Sequence, residues 1–450
     1  MNDETVPSGR LGDDTVTTSD HEALERATIR KIAWRLLPLI ALGYGIAFID
    51  RVNISFASLQ MNRDLHFSAT IYGLGAGLFF VSYAALEVPS NLALVRFGAR
   101  RWIARIMLTW GLLAAGMMFV RTPMHFYIVR FLLGAAEAGF FPGVIYYLNQ
   151  WFPAHHRGRA ISRFYIAAPL SGVVMGAVAG TLLGLQGHLG LAGWQWLFLV
   201  EGLPAVAMSL VFLLFLPDLP AGARWLSAAE KQWLEARLMA DCEAATSPAA
   251  HNLFAALMDP RVLAFTAVNF CYLGSYYAFN LSAPAVLQAA TGLSTQGVGF
   301  LVAAGGLAGT AGMIFIGWHS DLRRERYLHL ATPLLIVAGC FAVMAFGHGP
   351  VLIGATYLVF MAAYFAVSGA FWTTPGEFID PRALAVAVAA INGVGQVGSF
   401  LMPFAWGIVR DATGDFHVGL TALIVPYVLA AGIVLGLRRG HRRRMAAPAA

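Results

Sequence analysis

Residues 33–58 read AWRLLPLIALGYGIAFIDRVNISFAS. A helix needs roughly 20 mostly apolar residues to cross a bilayer core, and this stretch supplies them. It also carries Asp50 and Arg51 side by side in its second half. Ionisable groups at such depth are costly in hydrocarbon and turn toward protein or a water-filled path, so each is a candidate functional group. The stretch reads as a membrane span that faces other spans.

Eleven further runs have the same character, near 70–94, 102–121, 124–150, 160–187, 194–216, 262–290, 297–318, 328–347, 350–374, 384–410 and 417–437. The whole chain of 450 residues is 58% hydrophobic and only 12% charged, about half the charge fraction of a soluble protein. Several runs contain Pro or Gly, which membrane helices tolerate because neighbouring groups satisfy the freed backbone. The longest break, 217–261, is polar and divides the runs six and six, a known transporter symmetry. The expected fold is therefore an all-α polytopic membrane protein of two pseudo-symmetric six-helix bundles. Its expected parts are a polar cytoplasmic tail (1–31), an N-terminal bundle (32–217), a cytoplasmic central loop (218–261), a C-terminal bundle (262–437) and a basic tail (438–450).

Charge placement gives the orientation. Lys31 and Lys231 are the only lysines, and the arginines gather at run ends. Arg96, Arg100, Arg101, Arg157, Arg159, Arg323, Arg324, Arg326 and Arg382 fall in one set of short loops, whereas the alternate loops hold Arg63 and Arg121. Positive residues mark the cytoplasmic side, so both termini are expected there, in a bacterial inner membrane. The same clusters explain the basic balance without nucleic acid. Cys242, Cys271 and Cys340 have neither metal nor disulfide spacing, no apolar leader precedes residue 30, and no nucleophile, metal or cofactor constellation suggests an enzyme. A monomer with no cofactor is expected.

Gly172, Gly176, Gly180 and Gly184 recur every fourth residue in run 5, with Gly73 and Gly77 in run 2, Gly305 and Gly309 in run 8, and Gly393, Gly395 and Gly398 in run 11. Small residues at such spacing let helices approach closely. Either they pack statically, or runs 2, 5, 8 and 11 form one interface at which the halves rock.

The buried charges are sharpest in runs 1 and 4. Arg130 and Glu137 lie seven apart, on one helix face. Counting rise per residue from opposite sides puts Asp50 and Arg130 at similar depth, with Glu137 near the midplane. Asp50 is expected to pair with Arg130. A buried carboxylate beside an Arg responds to small changes of surroundings, and an Arg can clamp a substrate carboxylate bidentately. Two acids and two arginines thus suit proton-coupled anion transport, with a structural ion-pair network as the alternative. Glu87, Glu201 and Glu377 read as structural partners for loop arginines. Cavity candidates are Tyr44, Tyr83, Tyr165, Tyr276, Tyr277, Asn280, Trp372, Asn392 and Gln396, the last two sharing a face.

The stretches FIDRVNISFASLQMN (48–62) and RFLLGAAEAGFFPGVIYYLNQWFP (130–153) resemble the anion:cation symporter family of the major facilitator superfamily. So do EVPSNLALVRFGARRWIARIM (87–107), GWQWLFLVEGLPA (193–205) and AINGVGQVGSFLMPFAWGIVRDATGDF (390–416). Bacterial permeases for tartrate, phthalate and hydroxyphenylacetate look most alike. The resemblance covers residues 30–437 and implies alternating access between two bundles, with uptake of a small organic anion together with protons. It implies proton coupling at Asp50 and Glu137, and substrate or coupling roles for Arg51 and Arg130. Tyr83, Trp372 and Asn392 match positions associated with substrate. The gating loop after run 2 keeps Arg96 but has Val95 where an Asp is usual, while the loop after run 8 keeps Gly317, Asp321, Arg323 and Arg324. Pro169 stands where sugar-acid carriers often have Gln, which weakens a sugar-acid assignment. An efflux antiporter on the same fold is the runner-up.

Overall fold

A computed structural model describes residues 13–245, 258–323, 325–372, 374 and 381–446. Helix is the regular structure throughout those residues. Twelve helical spans are long and apolar enough to cross a membrane. They are span 1 (Glu22–Asp64), span 2 (Ala69–Phe97), span 3 (Ala99–Phe119), span 4 (Pro123–Asn149), span 5 (Ala154–Leu183) and span 6 (Gly193–Phe215) in the first half. The second half holds span 7 (Pro260–Asn280), span 8 (Thr295–Arg323), span 9 (Tyr327–Phe346), span 10 (Pro350–Phe371), span 11 (Ala387–Thr413) and span 12 (His417–Gly440).

Two segments expected as tails are more ordered than their polarity suggests. The helix of span 1 begins at Asp13, and that of span 12 runs on to Ala446. The first extension is held by side chains rather than by apolar burial alone. Thr28 is fully buried, Glu25 meets His156 at 2.6 Å, and Lys31 reaches Glu230 at 2.9 Å. Glu230 belongs to a helix (Ala228–Ala245) within the central break. Ser227 N–H also donates to Glu230, at 2.7 Å. Burial alone would raise the Glu230 carboxyl, but the Ser227 backbone bond and the Lys31 ammonium outweigh it and hold the acid below its ordinary range.

Two spans are broken near their middles. In span 4 the helix ends at Glu137 and restarts at Phe140. Gly139 between them has φ +85°, a left-handed conformation that a side chain resists. Span 5 is interrupted at Ile166. Span 7 ends at Asn280, and a short helix (Ala283–Thr291) continues after a turn.

The halves meet where span 2 packs on span 11 and span 5 on span 8. The glycines explain only part of that interface. A Cβ on Gly73 would strike the Pro403 carbonyl, one on Gly77 the Phe400 ring, one on Gly176 the Gly299 carbonyl, and one on Gly180 the Gln296 backbone. Gly305 and Gly309 instead face Tyr357 and Phe365 of span 10, while Gly395 and Gly398 face Asn269 and Phe270 of span 7. These four serve packing within their own half, and span 8 offers Gly299 and Gly306 to the partner half instead.

The halves are latched at the end remote from both termini. Asp411, near the end of span 11, accepts from the N–H groups of Ala69 (2.9 Å) and Thr70 (2.8 Å) at the start of span 2. A carboxylate there satisfies orphan donors and suits the positive end of the helix dipole. The Tyr72 hydroxyl donates to the Leu281 carbonyl across the halves at 2.7 Å. At the opposite end a groove of about 660 Å³ lies between spans 1 and 5, lined by Arg26, Arg30, Arg159 and Arg163 together with Trp34.

Candidate functional site

The break in span 4 leaves Glu137 at a helix end, and Gly134 lets that helix touch span 2. A Cβ at Gly134 would meet the Phe79 carbonyl. This close approach gathers Arg51, Arg130 and Glu137 around Phe79. Arg51 lies 5.6 Å and Arg130 4.9 Å from the Phe79 ring centre, so the two cations share one aromatic face system.

The ion pairing differs from the expected one. Arg51 Nε donates to Glu137 Oε1 at 2.8 Å, and Arg51 Nη2 lies 2.6 Å from the same oxygen as an ion pair. Among the described residues Asp50 makes no ion pair within 4.0 Å; instead it accepts from Trp110 Nε1 at 2.9 Å and from Asn53 Nδ2 at 3.1 Å. Arg130 donates to the Ala76 carbonyl at 3.3 Å and acts on Asp50 only at longer range. The reason is helical phase. Adjacent residues on a helix point about 100° apart, so Asp50 faces span 3 while Arg51 faces span 4.

The buried network is incompletely satisfied. Glu137 Oε2 and Arg130 Nε are both buried without a hydrogen-bond partner. Leaving such atoms unpaired is costly, and sites that later receive a proton or a ligand are where that cost is found.

Aromatic rings complete the surroundings of Arg51. Tyr83 lies 5.1 Å and Phe48 5.8 Å from its guanidinium. Tyr44 packs on Phe164 at 4.8 Å and on Tyr165 at 5.8 Å. The second half contributes Tyr277, against Phe80 at 4.4 Å, and Ser368, whose hydroxyl meets that of Tyr165 at 3.2 Å. Asn392 Nδ2 donates to both oxygens of Glu87, at 3.2 and 3.3 Å. Glu87 therefore bridges the halves rather than holding a loop arginine.

Tyr44, Arg51, Tyr83, Glu137, Tyr165, Tyr277 and Asn392 thus come together where the halves meet. Tyr276 meets this group edge-on through Tyr277, at 5.3 Å, and stacks on Tyr364 at 3.5 Å. Gln396 is buried with its Oε1 unpartnered, Asn280 ends span 7, and Trp372 packs edge-on against Phe371. Glu201 is buried beside Asn53 and Asp50, not beside a loop arginine. Glu377 lies outside the described residues.

Of the gating residues, Arg96 lies 5.6 Å from the Phe97 ring and Arg323 is exposed. Asp321 pairs at 4.0 Å with Arg326, and Arg324 lies outside the described residues. Gly317 has open space around it. The acid that the loop after span 2 lacks is supplied from elsewhere. Asp218, just beyond span 6, accepts from Arg100 N–H at 2.9 Å and pairs with its guanidinium at 3.4 Å.

Sequence reasoning passed over Trp110, Asn53 and Ser368. For Asn53 a signal existed, since it stands three residues after Asp50 on the same helix. Trp110 and Ser368 come from other spans, and nothing local marks them. Among the described residues no group of His, Cys, Asp or Glu could hold a metal ion.

Comparison with known proteins places this arrangement. The chain is 42% identical over 419 residues to a protein of Agrobacterium vitis designated a tartrate transporter, covering 92% of this chain and 96% of that one. It is 40% identical to a quinolone resistance transporter of Acinetobacter baumannii, over 91% of this chain and 94% of that one. Its fold matches, with TM-score 0.73 at 16% identity, a bacterial homolog of the human lysosomal transporter Spinster in an inward-facing and occupied conformation, covering 92% and 98% of the two chains. The model of the Major Facilitator Superfamily matches residues 40–403. The twelve spans, their six-and-six division and these similarities make the chain a membrane transporter, not an enzyme, and it belongs to the Major Facilitator Superfamily.

Proposed function

We propose that the protein is a proton-coupled symporter that imports a small organic acid anion across a bacterial inner membrane, with both termini in the cytoplasm. The observation that carries this reading is the Arg51–Glu137 bridge, which uses a single carboxylate oxygen and leaves Oε2 bare where the halves meet. A proton on Glu137 removes its charge and frees the Arg51 guanidinium for a substrate carboxylate. Substrate and proton then favour each other's binding, which is the thermodynamic content of symport. The tartrate-type relative supports a small hydroxy-dicarboxylate as cargo. Tyr44, Tyr83, Tyr165 and Tyr277 equally suit an aromatic acid. On this orientation the latched end is the outer one.

The test is uptake of labelled tartrate, and of benzoate in parallel, by protein reconstituted in liposomes. The expected result is uptake driven by an acidic exterior, lost in Arg51→Ala. Glu137→Gln should keep exchange of internal for external substrate while losing the drive by the pH gradient. The quinolone resistance relative supports a second reading, proton-driven efflux. Proton-driven accumulation of a quinolone inside inverted vesicles, with no acid-driven uptake of either carboxylate, would sink the import reading and demote the two arginines to structural roles.

A further inference from the structure

The groove of about 660 Å³ between spans 1 and 5 plays no part in the transport cycle just described. Its lining joins four arginines to apolar side chains, among them Trp34 and Leu37. The acids nearby are taken up elsewhere. Glu22 meets Arg26 at 3.9 Å and Glu25 meets His156 at 2.6 Å. Among the described residues no carboxylate comes within 4.0 Å of Arg30, Arg159 or Arg163, and all three are exposed. The groove therefore offers positive charge that the described protein does not neutralise.

Its depth can be read from the far end of the same two helices. Gln60 donates to the Leu183 carbonyl at 3.1 Å, which sets spans 1 and 5 level where span 5 ends. Trp34 stands 26 residues back along span 1, and Arg163 stands 20 residues back along span 5. Those counts correspond to about 39 and 30 Å of helix. A hydrocarbon core is about 30 Å thick, and the bilayer with its headgroups about 40–45 Å. Arg163 and Trp34 thus bracket the headgroup layer on the side of the termini, the layer that tryptophan favours.

The face beyond Arg163 opens to lipid. Leu170, Val174 and Val178 follow it on the same side of span 5 by helical spacing, and all three are exposed. They run toward the latched end, where the halves are closed on each other. Exposed apolar side chains there face acyl chains. A soluble anion would use the arginines alone, whereas Trp34, 77% exposed beside them, offers a surface that only an apolar chain covers with gain.

We propose that this groove binds one anionic phospholipid from the leaflet on the side of the termini. Its phosphate lies among Arg30, Arg159 and Arg163, whose guanidinium forks match phosphate oxygens. An acyl chain passes Trp34 and continues along Leu170. Basic pockets between membrane helices take lipid headgroups by the same chemistry.

Native mass spectrometry of the detergent-purified full chain tests the proposal. The probes are dioleoyl phosphatidylglycerol, dioleoyl phosphatidylcholine and glycerol 3-phosphate. One phosphatidylglycerol is expected to bind roughly tenfold more tightly than either of the others. Its affinity should fall about fivefold in Arg159→Ala and about fivefold again when Arg163→Ala is added. The double variant Arg442→Ala with Arg443→Ala removes the same charge from the basic tail and should leave the affinity unchanged. An equal loss in the tail variant would show diffuse attraction of lipid to positive charge and overturn the proposal. Equal binding of the two lipids would overturn it too. Glycerol 3-phosphate bound as tightly as the lipid, or lipid displaced by tartrate, would make the groove a site for a soluble anion. The comparison of probes needs only the wild-type chain, so it decides even where an arginine variant fails to fold. None of these readouts uses transport, so the symport reading stands or falls separately.

Discussion

Asp50 and Arg51 are neighbours in the chain and strangers in the structure. One turns to Trp110 and Asn53, the other to Glu137. The energetic consequence is clearest at Arg51. Removing one member of a buried pair leaves the other charge uncompensated, at a cost of about 3–5 kcal/mol, whereas replacing both with apolar groups of similar volume is often neutral. Glu137→Leu is therefore expected to lower thermal stability sharply. The double change Arg51→Met with Glu137→Leu should recover most of the loss, read by unfolding of the detergent-purified chain. Equal stability of the single and double variants would show that Arg51 finds another partner, with Glu87 the candidate. The sequence made these four residues visible because charge inside an apolar run stands out. It paired Asp50 with Arg130 on depth alone, whereas the rotation of span 1, which depth does not give, sets Arg51 against Glu137.

At the scale of elements, the polar segments gave the least reliable signal. Residues 13–31 lack an apolar face, yet they continue span 1 as helix. Their stability comes from contacts distant in sequence, the Lys31–Glu230 pair above all. That contact makes a pH prediction. Glu230 is held below its ordinary range, so its contribution is present above the unfolded carboxyl value of about 4.3 and is lost as pH falls through the lower folded value. Hydrogen exchange of residues 228–245 should be slow near neutral pH and speed up in that acid window. Glu230→Ala should speed it near neutral pH, by an amount corresponding to about 1 kcal/mol for a partly exposed pair with added backbone bonds, and converge on the wild type in the acid window. Slow exchange in the variant at neutral pH would show that the helix docks through its apolar face instead. Most run boundaries were legible to within a few residues, but run 7 was carried to 290 where span 7 ends at Asn280, and span 1 begins at Glu22 rather than near 33. The breaks at Gly139 and Ile166 were not legible, since glycine and proline are frequent in membrane helices whether or not they break.

On the scale of the whole molecule, the contact between halves at the end remote from the termini is the decisive feature. Asp411 caps the first turn of span 2 from the other half, so the cap exists only while that end is closed. Loss of a helix cap costs about 1 kcal/mol, which is a factor of about five in population. Asp411→Ala should shift the protein toward open forms at that end. Spin labels at positions 66 and 415 would report it as a longer mean distance. A distance unchanged from wild type would mean that the Tyr72–Leu281 bond and the glycine contacts hold the latch without the cap. The tight approaches at Gly73, Gly77, Gly176 and Gly180 make such a result physically reasonable.

By itself the sequence determined that the chain crosses a membrane twelve times, divides six and six, and buries two acids and two arginines in spans 1 and 4. Hydrophobic length and the cost of burying charge act locally, and so they are written along the chain. Only the tertiary structure decided which acid meets which arginine, that Asp218 is the acid that meets Arg100, and which glycines touch the other half. Each of these depends on the rotation of one helix against another. Rotation is set by side-chain packing between segments far apart in sequence, and no single segment carries that information.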